Sequence, residues 1–241
     1  MSDIKQYGAY FTFDDIQSND FDVWISGVGT YDAPVRDMET ITVPGRSGDL
    51  LIDNNRLNNI DITYPCYIGR QFDSRFDLFK AAMLSKVNYY VLRDTYHPDE
   101  YRLAYYLGGI TPQTGAYNKS GSFDIVFHCK PQRYLNSGAD AVTFTADGTI
   151  TNPTRYTAKP LLRIYGDGIV TVGGYSVTVS SNSYEYIDVD CDTMDAFYGN
   201  SNANSYITVS GGFPSVAPGE ATVTISGNIT QIDITPRWWT V

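Results

Sequence analysis

The sequence predicts a mainly β protein that contains one α-helix. Three observations support this class. The 241 residues include 20 Tyr, 21 Gly and 11 Pro, a composition that favours strands and turns. Apolar and polar residues alternate along several short segments, as they do in half-buried strands. Helical spacing of apolar residues occurs once. A chain of this length can bury the core of one large domain or of two small ones.

Several alternating segments predict strands in the first half of the chain. They cover residues 21–25, 35–43, 60–64, 88–92, 101–107 and 122–128. In the first segment, Phe21, Val23 and Ile25 are expected on one face, and Asp22 and Trp24 on the other. The second segment runs into a stretch with two glycines and a proline in five residues, which predicts a turn or exposed loop.

One segment has the period of a helix. Apolar residues recur at positions 72, 76, 79, 83 and 87, which predicts an amphipathic α-helix over about residues 73–86, packed on a sheet. Ser74 and Asp77 have the spacing of a capping box at its start.

The composition changes near residues 131–139, where turn residues are followed by a chain poor in Lys and Arg. We therefore expect an N-terminal domain over residues 1–137 and a C-terminal β-sandwich over residues 138–241. Two hairpins are predicted in the second half, one around Gly173-Gly174 and one around Gly227-Asn228, because both dipeptides suit tight two-residue turns. Short strands without a helix predict the sandwich.

The charge and the cysteine content argue against several classes of protein. The net charge is −10 and the pI is about 4.5, which disfavours non-specific nucleic-acid binding and adhesion to anionic membranes. Three cysteines without a CxxC pair (Cys66, Cys129 and Cys191) predict free thiols in a reducing compartment. The first ten residues do not have the pattern of a secretory signal, and no apolar run is long enough to span a membrane.

A catalytic site is not predicted. His97 and His128 are the available near-neutral proton carriers, but no GxSxG elbow, P-loop or GxGxxG pattern accompanies them. Asp14 with Asp15, and Asp188 with Asp190, are weak candidates for paired catalytic carboxylates. We expect a protein that is not an enzyme and that uses no cofactor.

Asp188, Asp190 and Asp192 have the spacing that begins a calcium loop. Thr193 stands where an EF-hand requires glycine, so an EF-hand is excluded. An irregular calcium site and a solvated strand end remain as alternatives, and the second is preferred. No metal site is therefore assigned.

Trp238 and Trp239 form an aromatic pair near residue 241. Neighbouring residues of a strand point to opposite faces, so we expect one ring in the core and one exposed. An exposed ring could stack on a sugar, and the many tyrosines equally suit protein interfaces.

The order of several segments resembles the distal tail protein (Dit) family of long, non-contractile-tailed bacteriophages. The resemblance spans nearly the whole chain. It rests on segments 42–50, 58–64, 76–84, 89–94, 123–131, 133–134, 152–153, 159–166, 218–219 and 232–238.

The resemblance implies a structural role in the virion. It implies a homo-hexameric ring at the tail tip, with a β-rich ring-forming N-terminal domain and a galectin-like or carbohydrate-module-like C-terminal β-sandwich. The tail-tube protein, the tail-tip hub protein and receptor-binding proteins are the implied partners, without sequence-specific nucleic-acid binding or membrane insertion. Assembly would take place in the cytoplasm of the host bacterium.

The loop between two predicted strands is the candidate site of a ring or partner contact. Its glycines allow close approach of the backbone, and its arginine can form a two-pronged contact with a carboxylate. A plain hairpin turn is the alternative. The candidate residues are Pro44, Gly45, Arg46, Gly48 and Asp49. For the whole chain, the alternative function is a carbohydrate-binding adhesion module for the host cell surface.

Overall fold

The computed structural model describes residues 8–27, 29, 31–115 and 117–241. The chain divides into two compact units, which meet in sequence between Arg133 and Tyr134, with Val241 in the first unit. The boundary drawn from composition, between residues 137 and 138, stays a prediction about independent domains. The predicted lack of a secretory signal concerns residues 1–10, of which 1–7 lie outside the described residues.

The first unit is a twisted antiparallel sheet with one helix. The main sheet has the strand order β2-β1-β7-β8-β10-β6-β3, with β9 also paired to β10. The elements are β1 Phe11–Phe13, β2 Ile16–Gln17, a 3-10 helix Ser18–Phe21, β3 Trp24–Ile25, β4 Arg36–Ile41, β5 Leu50–Leu57, β6 Ile60–Ile68, α1 Phe72–Leu84, β7 Tyr90–Asp94, β8 Glu100–Tyr105, β9 Gln113–Gly115 and β10 Ser120–Leu135.

The predicted helix is confirmed, and it covers the core of this unit. Four of the five periodic apolar residues are buried: Phe72, Phe76, Phe79 and Met83. The fifth, Val87, is 82% exposed because the helix ends at Leu84. Phe79 packs against Phe11 and Phe123, from β1 and β10. The helix therefore joins the sheet through aromatic contacts.

The predicted capping box is wrong. Gln71 precedes the helix in the left-handed region and makes no side-chain cap. The Ser74 hydroxyl instead donates to the Gln71 carbonyl, and Asp77 forms an ion pair with Lys80. The N–H of Phe72, the first residue of the helix, has no acceptor within the helix and donates to the Lys119 carbonyl at 3.2 Å.

The strand predicted over residues 21–25 is wrong in extent, since only Trp24 and Ile25 pair with β6. Ser18 explains the difference. Its buried hydroxyl donates to the Val23 carbonyl and accepts from the Phe11 N–H. These bonds hold residues 18–21 in a 3-10 helix instead of a strand. Val23, Trp24 and Ile25 are all buried, so the alternation of faces does not hold.

The second unit is a β-sandwich. One sheet has the order β11-β21-β13-β16-β17-β18 and the other the order β12-β20-β14-β15-β19, with one apolar core packed between them. The strands are β11 Val142–Phe144, β12 Gly148–Asn152, β13 Leu161–Tyr165, β14 Gly168–Val172, β15 Tyr175–Val179, β16 Ile187–Asp190, β17 Asp195–Tyr198, β18 Ser201–Asn202, β19 Ile207–Ser210, β20 Gly219–Gly227 and β21 Gln231–Thr235. A last short strand, β22 Trp239–Thr240, belongs to neither of these two sheets. Two 3-10 helices, Asn136–Gly138 and Asn204–Tyr206, complete the unit.

Of the two predicted hairpins, one is confirmed. Val172 pairs with Tyr175 across Gly173-Gly174, and both glycines have positive φ, as a primed turn requires. The second is wrong, because β20 and β21 belong to different sheets. The N–H of Asn228 donates to the Asp167 carbonyl at 2.8 Å, so the chain turns from one sheet to the other here.

The mainly β class with one α-helix is thus confirmed. Among the described residues, no helix combines the length and apolar character that would let it cross a membrane.

Candidate assembly interface: the β4–β5 hairpin

Strands β4 and β5 form a two-stranded sheet of their own, outside the main sheet. In register, Ile41 lies opposite Leu50, Thr40 opposite Leu51, and Glu39 opposite Ile52, with a bulge near Arg36. None of the described residues from 26 to 59 is buried. The hairpin therefore contributes nothing to the core of its own unit.

The candidate residues identified from sequence all lie in the loop that closes this hairpin. Gly45 and Gly48 have φ of +79° and +85°, a region that suits glycine and strains other residues. The Arg46 N–H donates to the Val43 carbonyl at 3.2 Å, and the Thr42 hydroxyl donates to Asp49 at 3.1 Å. The predicted turn is confirmed, whereas its contact with another molecule stays a prediction.

Arg46 is exposed on this loop. Within the part of the chain that the structure describes, no carboxylate lies within ion-pair distance of its guanidinium. Gly45 and Gly48 have open space where a Cβ would stand. The loop is thus held by its own hydrogen bonds, and its arginine forms no ion pair with the described residues.

Both faces of the hairpin carry apolar side chains. Directly opposed residues share a face, so Ile41, Leu50 and Ile52 lie on one side, and Met38 and Leu51 on the other. All five are large hydrophobic residues with more than a third of their surface exposed. Neighbouring exposed apolar side chains of this kind are typical of interaction sites.

Polar contacts hold the hairpin near its base. Arg36 and Asp53 form an ion pair of 2.8 Å, and Arg56 and Asp37 one of 3.2 Å. These pairs are exposed and contribute little, about 0–1 kcal/mol each. An isolated two-stranded hairpin is marginally stable in water. Burial of its Ile and Leu side chains by another chain would add about 1.5–3 kcal/mol for each side chain fully buried.

The exposed apolar residues of β4 and β5 are candidate interface residues that sequence reasoning missed. The strand prediction for residues 35–43 assumed a place in a sheet, which would bury alternate residues. A signal was present, since Leu50, Leu51 and Ile52 are three consecutive apolar residues directly after a glycine-rich loop. A run without alternation fits a strand that is covered on both faces.

The three aspartates with calcium-loop spacing are each neutralised by a cation. Asp188 receives two bonds from Arg163, at 2.8 and 2.9 Å. Asp190 receives two from Arg237, at 2.7 and 2.9 Å. Lys159 lies 3.2 Å from Asp192. The described residues contain no group of three or more acidic, His or Cys side chains placed to hold a metal.

The other candidate acid–base residues are held in separate places. Lys86 bridges Asp14 and Asp15 at 2.6 Å each, and its hydrogen bond lowers the pKa of Asp15. His128 contacts Asp61 at 2.5 Å on the exposed face of the main sheet. His97 contacts Asp94 in the same unit. Each of these residues is thus engaged with a partner of its own.

The prediction that one tryptophan is buried and the other exposed is half right. Trp238 is buried, while Trp239 is partly buried and stacks on Tyr156 with 4.4 Å between ring centroids. Tyr184 and Tyr198 stack at 4.8 Å on the sandwich, and Tyr186 adjoins Tyr198. Much of the aromatic surface is therefore turned toward other aromatic rings.

All three cysteines are free and buried, in agreement with the predicted thiols. Burial raises the pKa of Cys129 and of Cys191 to about 12, and that of Cys66 further. Thiols in this environment are inert.

A mainly β chain with an apolar arm that its own core does not cover is typical of a subunit that completes its packing in an assembly. The sequence comparison agrees with this class. The chain belongs to the family of the phage tail protein RIFT-related domain, whose model matches residues 6–129. The family is one of structural tail proteins and not an enzyme class. No curated protein sequence matches the chain significantly.

Solved structures extend the similarity to nearly the whole chain. The Dit protein (gp 19.1) of phage SPP1, described as a paradigm of the hub adsorption apparatus in phages that infect Gram-positive bacteria, has a TM-score of 0.70 at 13% identity. The match covers 95% of this chain and 98% of that one. A chain of the phage P2 baseplate, in its activated conformation with calcium, has a TM-score of 0.54 at 11% identity, with coverage of 95% and 98%. The resemblance to distal tail proteins is confirmed at the level of the fold.

Proposed function

We propose that the protein is a structural component of a phage tail tip, where six copies form a hub ring. The observation that carries the proposal is the β4–β5 hairpin, whose two apolar faces have no partner among the described residues of its own chain. The fold similarity to the SPP1 Dit protein and to a chain of the P2 baseplate supports the same role. The role is one of assembly and requires no cofactor.

A closed ring is one assembly that such a hairpin can build. If the hairpin of one copy packs on the body of the next, two different surfaces meet, which is a heterologous contact. Heterologous contacts produce closed rings when the rotation between copies closes. Pro44, Gly45, Arg46, Gly48 and Asp49 would then lie at or beside the contact, with Arg46 available to a carboxylate of the neighbouring copy.

The ring would join the tail-tube protein on one face to the tail-tip hub protein on the other. Receptor-binding proteins would attach at its periphery, so the protein would serve host attachment indirectly. The mature location would be the tail tip of the virion, after assembly in the cytoplasm of the host bacterium. Neither sequence-specific nucleic-acid binding nor membrane insertion belongs to this role.

The mass in solution tests the ring. Size exclusion with light scattering over a concentration series is expected to give a species of about 161 kDa, six times the 26.8 kDa chain. A mass of one chain at every concentration would contradict self-assembly. A stable mass of two or three chains would contradict the sixfold ring in particular.

Carbohydrate binding by the sandwich is the second candidate function, favoured by the surface cluster of Tyr184, Tyr186 and Tyr198. Aromatic rings of this kind stack on sugars. Binding of purified host cell wall by the full chain, lost in Tyr198→Ala and kept in Tyr175→Ala, would support it. If Tyr198→Ala and Tyr175→Ala bound the cell wall equally well, this cluster would be excluded as the sugar site.

A further inference from the structure

A groove lies on the outer face of the main sheet, which is the face turned away from α1. Six of the residues that line it are Ser26, Pro65, Thr111, Gln113, Ser122 and Asp124. In register, Asp124 lies opposite Pro65, and Ser122 lies opposite Gln113, so these four share one face. The volume of the groove is about 290 Å³. One water needs at least about 10–15 Å³, so the groove has room for a long side chain.

The alternation of β10 places Asp124 on the outer face. Its neighbours in the strand, Phe123 and Ile125, are buried, and Phe123 packs against Phe76 of α1 with 5.0 Å between ring centroids. Successive side chains of a strand point to opposite faces, so Asp124 points away from the helix. It is exposed, as Ser122 is.

The charge of Asp124 is not balanced within its own chain. Among the described residues, no Lys, Arg or His side chain lies within ion-pair distance of its carboxylate. The other side chains that line the groove are neutral, so the groove carries one negative charge. Burying an unpaired carboxylate is costly. A partner that covers the groove must therefore bring a cation.

Arg46 is a complementary charge on the same chain. It is exposed in the loop of the β4–β5 hairpin, and the carboxylates of the described residues leave it without an ion pair. Its planar guanidinium can donate two parallel hydrogen bonds to one carboxylate, which a lysine cannot do.

We propose that the groove receives Arg46 from the β4–β5 hairpin of a second copy, and that the guanidinium forms a two-pronged contact with the carboxylate of Asp124. The inference rests on the ring proposed above and identifies the surface that receives the hairpin. Oxygen atoms of Thr111, Gln113 and Ser122, which line the same groove, can accept the N–H groups that Asp124 leaves unbonded.

The outer face beside the groove also offers apolar surface to the hairpin. Tyr67, opposite Ser122, is 38% exposed, and Pro65 and Val126 are partly exposed. The exposed Ile and Leu side chains of β4 and β5 suit such a face, because packed sheets interlock their side chains across about 10 Å. The contact thus combines apolar burial with one ion pair.

A second copy fits this groove better than an unrelated protein does. Each chain carries one hairpin with a positive loop and one groove with a negative charge, and these are two different surfaces. When such a head-to-tail contact repeats around a closed ring, every groove is filled and every hairpin is used.

Reversal of the two charges tests the contact. Arg46→Asp and Asp124→Arg each bring like charges together, and we expect each to raise the dissociation constant of the assembly about tenfold or more. The double variant restores an opposite pair and should recover most of this loss. Asp20→Arg is the control and should leave the constant unchanged, because Asp20 is exposed in the 3-10 helix whose Phe21 packs on Phe79 of α1.

The outcomes separate this contact from the ring itself. Equal dissociation constants for the unaltered chain and both single variants would overturn the Arg46–Asp124 contact and leave the ring standing. A double variant as weak as the two single losses combined would overturn the contact as well. An unaltered protein that stays a single chain at every concentration would contradict the ring, and this inference with it.

Cross-linking tests the same contact independently of its strength. The native thiols are buried, so Arg46→Cys and Asp124→Cys each add one accessible thiol. We expect a short bismaleimide to join two chains in a mixture of these variants and not in either variant alone. Asp20→Cys in place of Asp124→Cys is the matched control and should give no such product. No product from the first mixture, or equal product from both mixtures, would overturn the proposal.

Discussion

Ile41 and Leu50 lie directly opposite each other next to the loop of the β4–β5 hairpin, and each keeps 44% of its surface exposed. A cross-strand pair of large aliphatic side chains ordinarily lies against a core. Here no described residue from 26 to 59 is buried, so this pair has no core to join. This relationship is the basis of the proposal that another copy of the chain covers the hairpin.

Removing the apolar pair should weaken assembly without unfolding the subunit. In the double variant Ile41→Ser and Leu50→Ser, we expect the dissociation constant of the assembly to rise at least about tenfold, because each side chain loses about 1–2 kcal/mol of burial. The thermal midpoint of the isolated chain should change little. Analytical ultracentrifugation and thermal unfolding measure the two effects.

Ile169→Ser is the matched control, because Ile169 is also 44% exposed but lies on the sandwich. It should leave the assembly intact. Equal weakening by the control and the double variant would indicate a non-specific effect of surface polarity.

The two loop glycines should matter through their backbone conformation. Gly45→Ala and Gly48→Ala place a Cβ in open space but at positive φ, which costs about 1 kcal/mol each. We expect faster amide exchange in the hairpin and weaker assembly, with an unchanged global midpoint. Gly69→Ala is the control, since Gly69 also has open space but not a positive φ. Identical behaviour of all three variants would contradict a shaped loop.

The Arg237–Asp190 pair should give the sandwich a pH-dependent contribution to stability. Burial raises the pKa of Asp190, but the hydrogen bonds from Arg237 and from the N–H groups of Asp192 and Thr193, together with the charge of Arg237, outweigh burial, and the net pKa is lowered. A lowered carboxyl pKa stabilises the fold above the unfolded value of about 3.9 and loses this effect as pH falls through the folded value.

Arg237→Met should therefore destabilise the protein by about 1–2 kcal/mol at neutral pH, since the pair is only partly exposed to solvent screening. The difference from the unaltered chain should shrink below about pH 4. Urea unfolding at a series of pH values measures it. Lys159→Met, which removes the more exposed pair with Asp192, should have a smaller effect. A destabilisation that is constant from pH 3 to pH 7 would argue against the ion pair as its cause.

The thiols should be unreactive in the folded protein. Burial raises the pKa of Cys129 and Cys191 to about 12, so very little thiolate forms at pH 8. We expect labelling by a thiol reagent to be at least about a thousandfold slower in buffer than in urea, with three thiols reacting once the chain is unfolded. Rapid labelling of one thiol in buffer would show that its part of the core opens.

Local patterns predicted the elements whose partners are near in sequence or whose faces are simple. The spacing of Phe72, Phe76, Phe79 and Met83 predicted α1, and the alternation of residues 60–64 predicted the buried face of β6. The turn at Gly173-Gly174 was equally predictable, because its two strands are adjacent in the chain and in the sheet.

Long-range packing decided the elements that the sequence could not predict. Gly227-Asn228 has the residues of a hairpin turn, yet β20 and β21 pair within different sheets. The candidate loop was predicted from its glycines. The exposure of Ile41 and Leu50 could not be predicted, because it arises from the fact that β4 and β5 pair with each other outside the main sheet. The groove at Asp124 brings together residues from 26 to 124, which no local pattern connects.

Electron cryo-microscopy of the purified assembly tests the central claim most directly. The account predicts sixfold rings in which residues 36–57 of each copy pack against the body of its neighbour, with Ile41 and Leu50 buried. A ring whose hairpins stay in solvent, or an assembly formed through other surfaces, would contradict it.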